Sequence, residues 1–376
     1  MSKKIAIIHD WLEKKGGAEK VLEDLLLIYP NSDLFLLADF MKKKDRKFLK
    51  NRKIKYSFIQ YLPFAKKIFR FYFVLMPLAL RLFNFNKYDL IISSSHSFAK
   101  NIKKNDKQMH ICYCHTPVRY VHVMMDEYTK NYYGIKNIFL KNFLKIILNM
   151  IKNWDINSNK NVDHFIANSK YIKKRIKKIY NRTSTVIHPP VDTDKFILKK
   201  NKKNFYLTAS RLVPYKKIDI IIKAFNKLPQ YTLHVIGDGP KLKEYKNLAN
   251  SNIKVTGWAN QKKLIKNMQE CKCFIFAALE DFGIVPVEAQ SCGTPVIAYG
   301  KGGALDTVVN YPKKNPTGIF FKKQIPNSII KSIKLFEKNY HYFKFIHSKN
   351  NSLKFSRKSF RIKFKTFIDS KIMNIY

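Results

Sequence analysis

No stretch of this 376-residue chain is long and apolar enough to span a bilayer. Its longest apolar run covers residues 71–80, ten positions closed by Arg70 and Arg81, where a spanning helix needs about 20. No secretory leader is expected either, because Lys3 and Lys4 are followed by only four apolar residues before His9 and Asp10. Cysteine is scarce, and its five copies are badly placed for zinc. Cys112/Cys114 and Cys271/Cys273 are C-x-C pairs inside apolar, strand-like runs, Cys292 stands apart, and His115 directly follows Cys114. A zinc site would want C-x-x-C pairs or histidines at helical spacing, so buried free thiols in a reducing cytoplasm are expected. Acidic side chains are also few, 26 against 72 Lys and Arg, which leaves a net charge of +46. Such a surplus fits nucleic acid or an anionic membrane. No base-reading or RNA-binding motif accompanies it, and the lysines run along nearly the whole chain amid Asn, Ile, Phe and Tyr. Compositional bias plus attraction to a membrane surface is the expectation; nucleic acid is not an expected partner, and polyanion binding stays the alternative that charge alone would suggest.

What the chain does have is a β-α-β alternation that begins twice. At this length, with 46% hydrophobic residues, two α/β domains are the natural expectation. The first half opens with an apolar strand at 4–9, a loop at 10–15, the pair Gly16-Gly17 and a helix at 18–29. The glycine pair is expected to supply turn dihedrals closed to other residues. Strands follow at 34–38, 88–93, 110–114, 162–168 and 185–188, with helical stretches at 137–153 and, capped by Ser169, up to Tyr180. Pro189-Pro190 then breaks the pattern and marks a linker. The second half restarts with a strand at 204–209 and adds strands at 232–236, 253–256, 274–278, 294–299 and 319–321. The expected fold is α/β, two Rossmann-like domains at 1–190 and 191–355, with a basic helix at 356–376 returning to the first.

The residues with chemistry cluster where such strands end. After the strand at 274–278 comes Glu280-Asp281-Phe282-Gly283-Ile284-Val285-Pro286-Val287-Glu288. It places one acid on a loop and another inside a helix, whose first turn tolerates Pro286 and which Gly293 closes. The backbone N–H groups of Phe282, Gly283 and Ile284 would open that helix and suit an anion, while a carboxylate accepts hydrogen bonds from sugar hydroxyls. Arg211 and Lys216, five apart on a strand-to-helix loop, suit a diphosphate: Arg forks onto phosphate oxygens and Lys adds a point charge. In the first half, His115 ends a strand and begins His115-Thr116-Pro117-Val118-Arg119-Tyr120; His9 and His96 also end strands.

The Glu280–Glu288 spacing, followed by Gly293-Thr294-Pro295 and Gly302-Gly303, resembles the signature of the retaining GT-B glycosyltransferases of family 4. The His115–Tyr120 run is similar to a mannosyltransferase-like subgroup, which usually continues with Trp-Asp where this chain has Met125-Asp126. The resemblance implies two Rossmann-like domains facing a central cleft, and a nucleotide-diphosphate sugar as donor with no other cofactor and no metal. It implies transfer of a hexose, mannose from GDP-mannose, to a lipid-linked saccharide or cell-envelope glycan; a UDP-sugar donor is the alternative. Arg211 and Lys216 would meet the leaving diphosphate, Glu280 the sugar and Glu288 the ribose. Gly257 would face the base, Gly16 and Gly17 would approach phosphates or acceptor, and His115 would lie near the transferred sugar. Sugar phosphorylases or epimerases of the same fold are the rival enzymes.

Residues 59–85 interleave aromatics with Lys66, Lys67, Arg70 and Arg81. They are expected either to lie in a membrane interface, holding the protein peripherally on the inner face of the membrane, or to form a helix pair packed on the domain.

Overall fold

The computed structural model describes residues 3–50, 52–123, 125 and 138–373. The chain divides into two compact units, Met1–Pro189 with Lys363–Tyr376, and Pro190–Ile362. In both, short runs dense in Ile, Val, Phe and Leu are buried on both faces, as parallel strands covered by helices must be.

The first unit has a parallel sheet in the order β3-β2-β1-β4-β5-β6-β7. Its strands are β1 (Ile5–Leu12), β2 (Asp33–Asp39), β3 (Ile54–Tyr56), β4 (Leu90–Ser95), β5 (Met109–Cys114), β6 (His164–Ala167) and β7 (Ser184–Val186). β1 runs three residues beyond its expected end, because Trp11 and Leu12 still pair with Ala38 and Asp39 of β2. Asp10 therefore sits in the strand and not in the loop expected at 10–15. β4 likewise extends to Ser95, which pairs with Cys114. The edge strand β3 has no counterpart in the sequence pattern; three residues with one lysine carry too little periodicity to register.

On one side, Ile8, Phe35, Leu37 and Ile91 form a core with Ile59, Phe69, Phe73, Met76 and Leu80. Residues 59–85 thus pack on the domain, but as a chain of short pieces and not as a helix pair: Phe58–Tyr61, Ala65–Ile68, Phe69–Val74 and Met76–Arg81. Pro63 separates the first two pieces and Pro77 stands in the first turn of the last, so no helix runs through either. The helix Ile138–Ser158 adds Leu148 and Ile151 to the same core. Of the Met125-Asp126 pair that continues the His115 run, Asp126 lies outside the described residues.

That helix also carries a fully buried acid, Asp155. Asp155 and Lys100 are both fully buried and 2.7 Å apart. Asp155 further accepts from Asn101 Nδ2, His122 Nε2 and Tyr180 Oη, each at 2.7 Å. Burial by itself would lift the Asp155 carboxyl, but Lys100 and His122 hold it well below the usual carboxylate range. Saturation by hydrogen bonds is what makes such a pair tolerable in a core.

The second unit has a parallel sheet in the order β10-β9-β8-β11-β12-β13. Here the strands are β8 (Lys203–Ala209), β9 (Thr232–Ile236), β10 (Ile253–Thr256), β11 (Cys271–Phe276), β12 (Val296–Tyr299) and β13 (Gly318–Phe321). Helices Ile218–Asn226 and Pro326–Lys338 cover one face through Ile221, Phe225, Ile333 and Phe336. Helices Gln261–Glu270 and Ile284–Ser291 cover the other through Met268 and Ala289. All five cysteines are buried and free; burial pushes the Cys271 and Cys292 thiols up to about 12.

Candidate active site

In an open parallel sheet, the loops after two neighbouring strands diverge where the strand order reverses, and that divergence leaves a crevice at the strand C-termini. In the second unit the reversal falls between β8 and β11. The loop after β8 carries Arg211 and Lys216, and the loop after β11 carries Glu280, Phe282 and Gly283. Residues 64 apart in sequence thereby meet: Lys216 Nζ forms an ion pair with Glu280 Oε1. Their side chains are 17% and 22% exposed, so the pair is sheltered but reachable. Arg211, five residues before Lys216 on the same loop, is exposed.

Two glycine turns press these loops into place. A Cβ on Gly237 would lie 1.8 Å from the carbonyl oxygen of Ser210. That close approach lets Leu212 N–H donate to Asp238 O at 2.9 Å and fixes the Arg211 loop. A Cβ on Gly303 would lie 2.2 Å from Phe282 Cα, and Gly303 N–H donates to Glu280 O at 2.8 Å. The Gly302-Gly303 turn after β12 therefore backs the Glu280 loop directly.

Gly283, with φ 85°, is the N-cap of the helix Ile284–Ser291, and no side chain caps it. The first turn has no acid either, so its N–H groups and positive dipole end are left for an anion. Pro286 occupies the third helical position, where its missing N–H costs nothing. Phe282 is buried with Val191, Val287 and Phe355, which pins the loop just before the cap. Glu288 lies inside the helix and is 9% exposed. Gly257 follows β10, two strands from the reversal; its carbonyl accepts from Gly237 N–H at 3.3 Å.

In the first unit the reversal falls between β1 and β4, and it gathers His9, Asp10, Ser94 and His96. His115, at the end of β5, joins them. Ser94 Oγ bridges two imidazoles, His9 Nδ1 at 3.0 Å and His115 Nε2 at 2.9 Å. Burial pushes His9 down to about 4 and holds His115 well below the ordinary histidine value, with neighbouring imidazoles adding to both. Both rings are therefore neutral near pH 7. His115 keeps 9% of its surface accessible. His96, a quarter exposed, stands edge-on to Trp11 with ring centroids 4.6 Å apart.

Asp10 joins this site although the sequence pattern does not single it out. It is fully buried and accepts four backbone N–H groups, from His96 and Ser97 on Oδ2 and from Phe98 and Ala99 on Oδ1, at 2.6–2.9 Å. Burial raises its pKa, but His96, His9 and those donors outweigh burial and the net shift is downward. Its only sequence signal is an acid directly after an apolar strand that leads into the glycine pair. That pair is used differently than expected. Gly16 has φ −124°, which any residue adopts, and it serves as N-cap of the helix Gly17–Ile28, with its N–H donating to Glu19 Oε2 at 2.8 Å. Small size close to the Glu19 carboxylate, 3.1 Å from where a Cβ would stand, replaces the dihedral reason.

Among the described residues, no group of three or more His, Cys, Asp or Glu is placed to hold a metal ion.

Two family models match the chain, "Glycosyltransferase Family 4" over residues 16–195 and "Glycosyl transferases group 1" over residues 190–352. The chain is 25% identical over 320 residues to the alpha-1,3/1,6-mannosyltransferase ALG2 of Candida glabrata, covering 68% of this chain and 66% of that protein. It is 31% identical over 178 residues to a GDP-mannose-dependent monoacylated alpha-(1-6)-phosphatidylinositol monomannoside mannosyltransferase of Corynebacterium glutamicum, covering 39% and 47%. It thus spans roughly half to two thirds of these curated relatives. The crystal structure of Anabaena Alr3699/HepE in complex with UDP matches the fold with a TM-score of 0.69 at 18% identity, over 98% of this chain and 100% of that one.

Proposed function

This chain belongs to the GT-B glycosyltransferases whose family models its two halves match, and from that premise we propose that it is a retaining hexosyltransferase. The carrying observation is the ion pair of Lys216 with Glu280 at the β8/β11 reversal, with Arg211 exposed on the loop of Lys216 and the uncapped helix start at Gly283 on that of Glu280. The donor is a nucleotide-diphosphate sugar. Arg211, Lys216 and the helix N–H groups stabilise the diphosphate as the anomeric carbon–oxygen bond breaks, usually the largest catalytic contribution. The acceptor oxygen bonds to the same face of the anomeric carbon, and its proton passes to the leaving phosphate oxygen. Glu280 holds sugar hydroxyls, Glu288 the ribose, and Gly257 lies toward the base. His115, with its neutral imidazole, and the Gly16-Gly17 turn lie on the first unit, the acceptor side of this reading. Cations and a helix dipole take the place of a divalent metal.

The donor proposed is GDP-mannose, supported by the mannosyltransferase relatives; a UDP-hexose is the second reading, supported by the UDP-bound likeness. The acceptor is a lipid-linked saccharide or envelope glycan, met at the inner membrane face and not on nucleic acid. Residues 59–85 support peripheral attachment, because Tyr61, Phe64, Leu78 and Leu82 are 51–77% exposed next to the exposed Lys66, Lys67 and Arg81. Arg70 is engaged by Glu13. Among the described residues no helix is long and apolar enough to cross a membrane.

The test is a thermal-shift screen of nucleoside diphosphates followed by transfer assays. A ligand at about 100 times its Kd should stabilise by roughly 2.7 kcal/mol. GDP is expected to stabilise and GDP-mannose to support transfer. Transfer from a UDP-hexose with none from GDP-mannose would replace the donor; no stabilisation by any nucleoside diphosphate would overturn the enzyme reading.

A further inference from the structure

Two buried histidines of the first unit share one hydroxyl. Ser94 Oγ stands 3.0 Å from His9 Nδ1 and 2.9 Å from His115 Nε2. A serine hydroxyl has one proton to donate, and a neutral imidazole has one N–H and one bare nitrogen. The two outer nitrogens differ. Among the described residues, His9 Nε2 is buried with no hydrogen-bond partner; His115 Nδ1 has none either, but it is not fully buried. That contrast selects the direction of the chain. If His115 Nε2 donates to Ser94 and Ser94 donates to His9 Nδ1, the His9 proton sits on Nε2, a buried N–H with no acceptor. If both rings donate to Ser94, its own proton is left in the core, since Ser94 Oγ has no third partner among the described residues. If His9 Nδ1–H donates to Ser94 and Ser94 Oγ–H donates to His115 Nε2, only one bare lone pair is orphaned. Orphaned donors are the rarer defect in folded proteins, and each bears its full desolvation penalty.

We infer that His9 and Ser94 are positioning residues that fix the tautomer of His115, with its proton on Nδ1. The chain runs from His9 Nδ1–H through Ser94 Oγ–H to His115 Nε2, and it ends as a hydrogen-bond donor on the side of the ring that is not sealed. His96 stays outside the chain, its Nδ1 3.8 Å from Asp10 Oδ2. Glu19, Asp10 and His96 are the titratable groups that act on His9, and His96 and His9 those that act on His115. Which ring nitrogen of a histidine holds the proton is set by the bond the other one makes. Here the bare nitrogen of His115 is turned inward onto Ser94, so the ring offers a ligand an N–H and no lone pair. It suits an oxygen acceptor, a hydroxyl or a phosphate, and it takes no proton from one, because a general base must present its lone pair within reach of that proton. The proton of an acceptor hydroxyl then has to leave by another route, in the transferase reading onto the leaving phosphate oxygen. Only that use rests on the transferase reading; the tautomer does not.

The test is long-range proton–nitrogen correlation spectroscopy of the full chain with isotope-labelled histidine, in which an N–H nitrogen and a bare one resonate far apart. Signals are assigned through His9→Asn and His115→Asn. In wild type both rings are expected to hold their proton on Nδ1, unchanged from about pH 8 down to about 6, where an ordinary histidine titrates. Ser94→Ala should release the lock, and the two His115 nitrogens should move toward each other as the tautomers exchange. Ser94→Thr keeps a hydroxyl and should keep the wild-type pattern. A His115 proton on Nε2, exchanging tautomers in wild type, or an unmoved pattern in Ser94→Ala would overturn the proposal. In transfer assays Ser94→Ala should lower kcat by about 3- to 10-fold, what one net hydrogen bond carries, with the Kd of GDP unchanged and Ser94→Thr restoring the rate. The expected tautomer together with wild-type kcat in Ser94→Ala would sink the use of His115 in transfer and leave the tautomer standing.

Discussion

Removing Glu280 should separate affinity for the leaving group from affinity for the sugar. In the free protein Lys216 is neutralised by Glu280, sheltered at 17% and 22% exposure. A pair at about 4 Å is worth roughly 1 kcal/mol in water and about 4 at an effective dielectric of 20. Partial exposure and screening bring this one to about 1–2 kcal/mol. A bare nucleoside diphosphate gains nothing from Glu280 and must share Lys216 with it. Glu280→Ala is therefore expected to tighten binding of the diphosphate by about 5- to 30-fold, the same energy expressed as a ratio. The sugar donor loses its hydroxyl acceptor, so donor affinity and turnover should both fall. Lys216→Ala removes charge that grows in the transition state, and turnover should fall by about 100-fold or more, with weaker diphosphate binding as well. Isothermal titration of the diphosphate into wild type, both single variants and the double variant closes a coupling cycle. If Glu280→Ala weakens diphosphate binding as much as Lys216→Ala does, Glu280 is not competing for the cation, and the division of labour between the two residues is refuted.

Four other outcomes are expected. His115→Ala and Ser94→Ala should both impair transfer while diphosphate binding by the second unit survives, because both residues lie on the first unit; calorimetry showing lost nucleotide affinity would reverse the assignment of the units. Asp10→Ala leaves four buried N–H groups without an acceptor and should cost about 3–5 kcal/mol of unfolding free energy in denaturant titration, against under about 0.5 for an exposed lysine. His9 and His110 are both pushed down to about 4 by burial, so the unfolded chain takes up their protons first as pH falls. Stability from each is intact above about pH 6.5 and declines toward pH 4, by roughly 3 kcal/mol per histidine over that window; a flat unfolding free energy from pH 7 to 5 would contradict the buried neutral rings. Chelator treatment, finally, should leave transfer largely intact, and activity lost to EDTA and restored by manganese would refute metal independence.

The sequence by itself determined most of the elements and marked the second-unit residues that stand at the strand ends. Apolar runs of parallel-strand type, Pro189-Pro190 between the two halves, and Gly302-Gly303 are local features, and local steric rules make them legible: a Cβ cannot stand where Gly303 meets backbone. Arg211, Lys216 and Glu280 were legible because each follows a strand closely, and strand ends are where such sheets carry function. What only the tertiary structure decided is which partners these residues find. That Lys216 pairs with Glu280 depends on β8 and β11 being neighbours across 64 residues of chain, and the pairing of strands is a long-range choice that no local pattern encodes. The same holds for Asp10, whose role appears only when β1 lies beside β4 and four N–H groups of the following loop converge on one carboxylate. It holds for Lys100 and Asp155 too, which any composition rule would place on the surface. Burying a charge is costly until several distant donors arrive together, and their arrival is a property of the packed fold.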